Sequence, residues 1–278
     1  MIISVIIPCY NVSSYLEECL ESVFNQSHPD IEVICVDNNS TDNTYEKLRV
    51  LQAKRFQDLI ILQEKKPGAC AARNKGVTKA TGQWIQFLDA DDLILPDKLS
   101  MQIDLIIGSF KKVTMAGKEL KTRVYNSSEN LQSPWSSLMR SDLGNTCSNL
   151  FKTSLFKDDD IKWNESLESS QEYDLMFQIL QKNKKIVFDS MVATVVSVRE
   201  FGSISQSNLK EKWERFFELR VKIFLFLKQN APKELNEEFY QIFFDSLRML
   251  YPYNSEKAVS LYKKYFKDRF SPIQSSIT

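Results

Sequence analysis

Four short apolar runs, separated by stretches with helical spacing, govern the first ninety residues of this chain. Residues 2–8, 31–36, 59–62 and 83–88 are rich in Ile, Val and Leu and are bounded by turn residues. They read as strands buried on both faces. Between them, Leu16, Cys19, Leu20, Val23 and Phe24 recur at helical spacing, and Tyr45, Leu48 and Leu51 mark a second helix. Residues 69–80 are rich in small side chains and form a third helix that starts from Gly68. Ser14 and Glu17 stand at the spacing of a capping box. The alternation predicts an α/β fold with a parallel sheet and right-handed crossovers. Ligands of such sheets bind outside the carboxyl ends of the strands. Tyr10, Asp37 and Asp89 each follow a strand, so one edge of the sheet is expected to gather them.

The middle of the chain is mixed. Pro96 is placed to open a helix through Leu99, Ile103 and Ile106. Residues 110–125 read as irregular strands or a hairpin, 133–139 and 171–181 as helices, and 186–188 and 192–198 as two strands. From Leu209 onward the pattern is helical. One apolar face carries Trp213, Phe216, Phe217, Ile223, Phe224 and Leu227, a second Tyr240, Phe243, Phe244, Leu247 and Tyr251, a third Val259, Tyr262 and Phe266. These faces read as the core of a helical subdomain. Residues 1–205 and 206–278 are the two expected domains, and the final residues 271–278 are expected to fray.

Composition narrows the function. Lys plus Arg and Asp plus Glu number 36 each in 278 residues, which gives no reason to expect a nucleic-acid partner. His28 is the only histidine, which excludes His-based zinc sites and Ser-His-Asp triads. The five cysteines, Cys9, Cys19, Cys35, Cys70 and Cys147, form no CxxC pair. They read as reduced, buried thiols and point to a cytoplasmic location. No signal peptide and no apolar run of membrane-spanning length stands out. No GxxxxGK[ST] and no strand-linked GxGxxG is found, which argues against nucleotide hydrolysis by a P-loop and against a dinucleotide-dependent dehydrogenase.

Four constellations carry chemistry. Asp89-Ala90-Asp91-Asp92 follows the fourth strand, and two carboxylates one residue apart can reach Mn²⁺ or Mg²⁺ together. The same residues could instead cap the next helix. Asp37-Asn38-Asn39-Ser40-Thr41-Asp42 can accept hydrogen bonds from a base or ribose, or form an Asx turn with Ser40 or Thr41 as helix cap. GACAARNKG, residues 68–76, offers close backbone approach at Gly68 and a cation at Arg73, or simply a small-residue helix packed on the sheet. Glu172 and Asp174 lie in SSQEYDLMFQIL, where a carboxylate serves as general base or complements the helix dipole.

Taken together, these segments resemble the inverting family 2 glycosyltransferases of the GT-A fold. SVIIPCYNVSSYLEECLESVFNQS resembles that family's opening strand and helix, IEVICVDNNSTDNT its nucleotide-binding strand and turn, and KKPGACAARNKGVTKATGQWIQFLDADD the stretch leading into its DxD motif. The match covers about the first hundred residues in order and spacing. The resemblance implies a GT-A domain followed by a C-terminal helical extension. It implies that Pro8, Tyr10 and Asp37 hold the nucleoside, with Asn11, Asn39 and Ala90 completing the donor-binding set. Arg73 would lie near the diphosphate or sugar, and Asp89 and Asp91 would hold ribose and metal. SSQEYDL resembles the family's E-D-x-D-L motif, with Glu172 at the position usually taken by the catalytic Asp. Arg199 in VSVREFGSIS resembles a basic position near the diphosphate. The processive motif QxxRW is missing, which implies one sugar per encounter.

The implied reaction moves a sugar from a nucleotide-diphosphate sugar, UDP-linked by expectation, to an acceptor hydroxyl with inversion. The implied acceptor is a saccharide or lipid-linked saccharide in surface polysaccharide assembly. A lipid-linked acceptor would bring the protein to the cytosolic face of the membrane as a peripheral partner. Two rivals stay open. A sugar-nucleotide nucleotidyltransferase would carry a Gly-rich basic loop where this chain reads PCYNVSS. A nucleotide-sugar-binding module without turnover is left open by the Glu at position 172.

Overall fold

A computed structural model describes residues 2–96, 105–125, 133–198 and 209–267. The chain divides into two compact units, one of Met1–Pro134 with Leu143–Gly202, the other of Trp135–Asp142 with Ser203–Thr278.

The first unit is built on one sheet. It opens with β1 (Ile3–Cys9), α1 (Leu16–Phe24), β2 (Ile31–Asp37), α2 (Thr44–Lys54), β3 (Ile60–Gln63), α3 (Ala69–Lys79) and β4 (Trp84–Phe87). These are the four strands and three helices expected from the apolar runs. β1 pairs in parallel with β2 and β4, and β2 with β3. The order β3-β2-β1-β4 reverses direction between β1 and β4. A crevice for ligands therefore opens past their carboxyl ends. β1 leaves β4 after the pair Ile6 with Phe87. Pro8, which has no N–H to offer, stands two residues beyond that last pair.

The core on one side joins Val5, Ile7 and Cys9 of β1 to Leu16, Cys19, Leu20 and Val23 of α1. On the other side α3 meets β1, and the buried aromatics Phe87, Phe151, Phe156 and Trp163 pack edge to face with centroids 5.2–5.8 Å apart. Such pairs add to their area of burial.

Beyond β4 the structure departs from the sequence reading. The sheet continues through β5 (Leu93–Ile94), β6 (Leu105–Thr114), β7 (Glu119–Arg123), β8 (Leu150–Lys152) and β9 (Ile186–Val198) in the order β4-β8-β6-β9-β5, with β7 on β6. β8 runs antiparallel to β4 and β6, so the sheet is mixed. Ile106, expected in a helix opened by Pro96, lies in β6; residues 97–104 of that expected helix fall outside the described residues. Leu105, Ile106 and Ile107 form instead a short apolar run, the start of a strand paired with β8 on one side and β9 on the other. The hairpin expected over 110–125 is present as β6 and β7. The two strands expected at 186–188 and 192–198 are one. A register shift against β6 at Gly108 and Ser109 marks the irregularity, where Ser109 Oγ donates to Asp189 O and the Met191 N–H to Asp189 Oδ1.

The capping box does not form. α1 begins at Leu16, and its flanking residue Tyr15 makes no side-chain cap bond. The loop before it is instead held from the other side of the crevice. The Val12 N–H donates to Thr44 Oγ1 at 2.9 Å and the Ser13 N–H to Asp42 Oδ2 at 3.2 Å. The Glu17 carboxylate, which the box would need, instead accepts from Arg55 Nη1 at 2.7 Å. Two short helices, α4 (Pro134–Arg140) and α5 (Ser154–Lys157), and a longer one, α6 (Gln171–Gln181), complete the middle of the chain.

The second unit contains α7 (Leu209–Asn230), a single 3-10 turn (Pro232–Glu234), α8 (Glu237–Leu250) and α9 (Ser255–Tyr265). Asn236 Oδ1 caps α8 by accepting from the Phe239 N–H, and Asn254 Oδ1 caps α9 through the Lys257 N–H. Phe243 sits at the centre, with Phe217, Phe224 and Phe266 rings 5.3, 5.3 and 4.8 Å away. Phe217 and Phe224 are buried as the helical pattern predicts, while Trp213 is only half-buried and Val259 is exposed. Arg220 is buried in the same unit, stacked over Phe216 and donating to Ser141 Oγ at 2.7 Å. Among the described residues no helix is long and apolar enough to cross a membrane.

Candidate active site

The crevice begins with the loops after β1 and β2. Tyr10 leaves β1 with 58% of its surface exposed, an open aromatic face at the strand end. Asn11 turns the chain with φ 51°, and its Oδ1 accepts from the Thr41 N–H at 2.8 Å and the Asp42 N–H at 3.3 Å. Ser40 and Thr41 therefore bind Asn11 rather than cap α2, whose flanking residue is Asn43. Asn39 adopts φ 60° and donates through Nδ2 to Lys65 O at 2.9 Å.

Asn38, not singled out among the site residues from the sequence, ties three segments together. Its Nδ2 donates to Glu64 O and Lys66 O at 2.8 and 2.7 Å, and its Oδ1 accepts from the Gly68 N–H at 2.7 Å. Gly68 has φ 118°, a conformation that favours glycine, and α3 starts at the next residue. The signal for Asn38 lay in its place next to a strand end. Its partners, however, are up to 30 residues away and leave no mark on local pattern.

Asp37 ends β2 only 4% exposed, and its Oδ1 has no hydrogen-bond partner among the described residues. A buried acceptor left in that state costs about 1–3 kcal/mol. Asp37 stands at the carboxyl end of β2, paired in register with Cys9, the residue before Tyr10.

The second half of the crevice centres on Arg73. Its side chain is 7% exposed, Nη2 donates to Asp89 Oδ1 at 2.7 Å, and Nη1 donates to Gln171 Oε1 at 3.3 Å. Burial disfavours the Arg73 cation, and the Asp89 carboxylate beside it more than compensates. Asp89 keeps 37% of its side chain exposed. Ala90 is buried, and Asp91 lines a cleft of about 280 Å³ with Tyr15, Glu18, Lys111, Thr114 and Ser197 among its walls.

Asp92 turns inward. It is 4% exposed, and its Oδ1 accepts from the Ser197 N–H of β9 at 2.7 Å. Burial, reinforced by the charges of Asp89 and Asp91, pushes its pKa up to about 8. Asp89, Asp92 and Cys147 bring one ligand-type atom each within 4.8 Å of one another. Burial also raises the Cys147 thiol well above its ordinary value, and its Sγ accepts from the Asp89 N–H at 3.3 Å. A carboxyl turned inward onto the Ser197 N–H and a soft, buried thiol do not suit Mg²⁺ or Mn²⁺, which take hard oxygens. The half-exposed carboxylates of Asp89 and Asp91 do fit such an ion, Asp89 through the oxygen that Arg73 leaves free.

The first turn of α6 closes the site. Glu172 is partly exposed, and its pKa is raised, chiefly by burial; Arg73 and Lys112 pull the other way, while Asp89 adds to the rise. These influences place Arg73, Asp89 and Glu172 in one electrostatic neighbourhood. Asp174 is buried, and its Oδ2 accepts from Gln178 Nε2 at 3.0 Å. Arg199 lies outside the described residues. Gln171, Trp163 and Lys112 join the site without having been expected there.

A profile of glycosyl transferase family 2 matches residues 4–161, more than half of the chain. The chain belongs to glycosyl transferase family 2. Poly(ribitol-phosphate) beta-glucosyltransferase from Bacillus spizizenii is 30% identical over 200 residues, which are 67% of this chain and 30% of that protein. TuaG of Bacillus subtilis, a glycosyltransferase whose name places it in teichuronic acid biosynthesis, is 39% identical over 106 residues, 38% of this chain and 42% of its own. The matches thus span between 30% and 42% of these two family 2 relatives. A crystal structure of TarS from S. aureus in complex with UDP-GlcNAc superposes with a TM-score of 0.69 at 24% identity, covering 96% of this chain and 78% of that one. That likeness establishes the GT-A fold for this family 2 member.

Proposed function

We propose that this family 2 glycosyltransferase moves a sugar from a UDP-sugar to an acceptor hydroxyl with inversion at the anomeric carbon. The observation that carries the reading is the buried, unpartnered Oδ1 of Asp37 beside the exposed ring of Tyr10. A uracil offers an N–H in its plane for the carboxylate and a face for the ring. Asn11, Asn38 and Asn39 hold the loops around them; Pro8 lies in β1 two residues before Tyr10, and Ala90 lines the cleft at Asp91.

Asp89 and Asp91 would hold Mn²⁺ or Mg²⁺, which supplies positive charge for the departing diphosphate. Glu172 takes the proton from the acceptor hydroxyl. The acceptor oxygen bonds to the anomeric carbon as the bond from that carbon to the phosphate oxygen breaks, and the electron pair leaves with the nucleoside diphosphate. A single displacement inverts the centre. Holding both reactants in one crevice contributes the orientation term. The acceptor class is a saccharide of cell-surface polymer assembly, in keeping with the names of the two Bacillus relatives. A lipid-linked form of that acceptor would set the work at the cytosolic face of the membrane.

The test is calorimetric titration with UDP, GDP, dTDP and uridine, with and without Mn²⁺, followed by UDP release from a panel of UDP-sugars. Preference for UDP that depends on Asp37 supports the reading. Equal binding of all nucleotides, unaltered by Asp37→Ala, would sink it.

A further inference from the structure

The Arg73 guanidinium is held on two edges and a face. Nη2 is committed to Asp89 Oδ1 and Nη1 to Gln171 Oε1. Its plane lies over Trp163, with Cζ 4.6 Å from the ring centroid. Trp163 is 1% exposed and pinned by Asn74: the Trp163 N–H donates to Asn74 Oδ1 at 3.1 Å, and its carbonyl accepts from Asn74 Nδ2 at 3.0 Å. Gln171 is anchored in turn, its Nε2 donating to Leu167 O at 2.7 Å. Three segments therefore converge on one buried cation. They are the acidic turn after β4, the loop from Trp163 to Leu167, and the first turn of α6, which carries Glu172.

A side chain that served as an open phosphate clamp would present its fork to the crevice. Arg73 directs one bond from each terminal nitrogen to a protein acceptor, and its Cζ lies over the Trp163 ring. We propose that Arg73 is a positioning residue, a strut that fixes the Asp89 carboxylate and the first turn of α6 in one register. Glu172 then stands at a set place relative to a donor held at Asp89. The proposal rests on the reading of Asp89 as a donor contact and Glu172 as the base. Its physical basis is that a displacement of about 1 Å at a reacting group costs on the order of 100-fold in rate. The planar Arg fork can bridge two acceptors in fixed directions; a Lys ammonium on a flexible stem keeps the charge but not the bridge.

The experiment compares Arg73→Lys, Gln171→Leu, Gln171→Glu and Glu172→Gln. UDP binding is read by calorimetry, and single-turnover transfer is read at saturating amounts of the best UDP-sugar. Arg73→Lys and Gln171→Leu should bind UDP within about threefold of the parent and lose roughly 10- to 100-fold in transfer. Gln171→Glu, which keeps an acceptor for Nη1 but loses the donor to Leu167 O, should transfer better than Gln171→Leu. UDP binding weakened about tenfold or more in Arg73→Lys, with transfer at saturation kept, would make Arg73 a phosphate contact and overturn the proposal. Full transfer by Gln171→Leu would overturn it as well. Glu172→Gln separates the two claims: normal transfer there defeats the base assignment, whereas its collapse beside intact Arg73→Lys and Gln171→Leu defeats the strut alone. Should Arg73→Lys fail to fold, the partly exposed Gln171 carries the comparison.

Discussion

Gly76 of α3 lies so close to Ile6 of β1 that a methyl group at position 76 would fall 2.3 Å from Ile6 Cγ2. The helix that presents Arg73 is therefore seated on the central strand by the lack of a side chain. Gly76→Ala should destabilise the first unit by about 1–3 kcal/mol through overpacking, lowering the thermal midpoint. In an Ile6→Ala background the same change should cost at least 1 kcal/mol less, on the order of coupling between touching residues. A cycle with no coupling would place the strain elsewhere.

Asp37 governs the nucleotide. Asp37→Ala removes a buried acceptor without a partner among the described residues, so apo stability should hold or rise while UDP binding weakens. The expected loss is about 1–3 kcal/mol, or roughly 5- to 150-fold in Kd. Calorimetry of UDP beside a melting curve of the free protein reads both quantities.

Asp91 should matter only with the ion present. Asp91→Asn is expected to abolish the gain in UDP affinity that Mn²⁺ confers on the parent, with uridine binding left alone. EDTA added to the parent should reproduce the variant. If UDP binding and transfer ignore both the substitution and the chelator, the metal assignment falls.

Glu172 should set the acid limb of the rate profile. A base must be ionised to work, and burial raises the Glu172 pKa above its ordinary value. Transfer should therefore decline as pH drops through a value above the usual glutamate range, and be full above it. Glu172→Gln should remove that limb and lower turnover by roughly 10²–10⁴-fold. Asp174→Asn should be milder, because that carboxylate already accepts from Gln178 inside the protein. Collapse in Asp174→Asn with near-normal Glu172→Gln would reverse the two roles.

Phe217, 1% exposed and stacked on Phe243 at 5.3 Å, tests the second unit. Phe217→Ala should cost about 3–5 kcal/mol, read as a lower midpoint in urea. Unchanged stability with lost binding to anionic vesicles would turn this face into a membrane contact.

The first half of the sheet was legible because buried parallel strands announce themselves as unbroken apolar runs, and because polar residues after them mark one edge. That reasoning located Tyr10, Asp37 and Asp89 from sequence alone. It failed beyond β4 for physical reasons. β8 has three residues, too few to show a period, and the irregularity in β9 made one strand read as two. Ser14 and Glu17 had the right spacing for a cap, yet the Glu17 carboxylate found Arg55, 38 residues away. The network of Arg73, Trp163 and Gln171 joins residues up to 98 positions apart. No local pattern encodes which two neighbours a buried guanidinium will choose.

The bond between Asp92 and Ser197 spans 105 positions. On a ribosome, the acidic turn emerges long before the strand that seals it. Until Ser197 arrives, the Asp92 carboxyl lacks its backbone donor and stays hydrated, which opposes closure of the turn. Pairings of such sequence separation form late and slowly. The bonds that hold the loops after β1 and β2 run between residues 11 and 68, all of which are made long before Ser197. A nascent chain halted before residue 197 would then carry the loop bonds around Asn11 and Asn38 beside an unfinished acidic turn, a vectorial order of assembly.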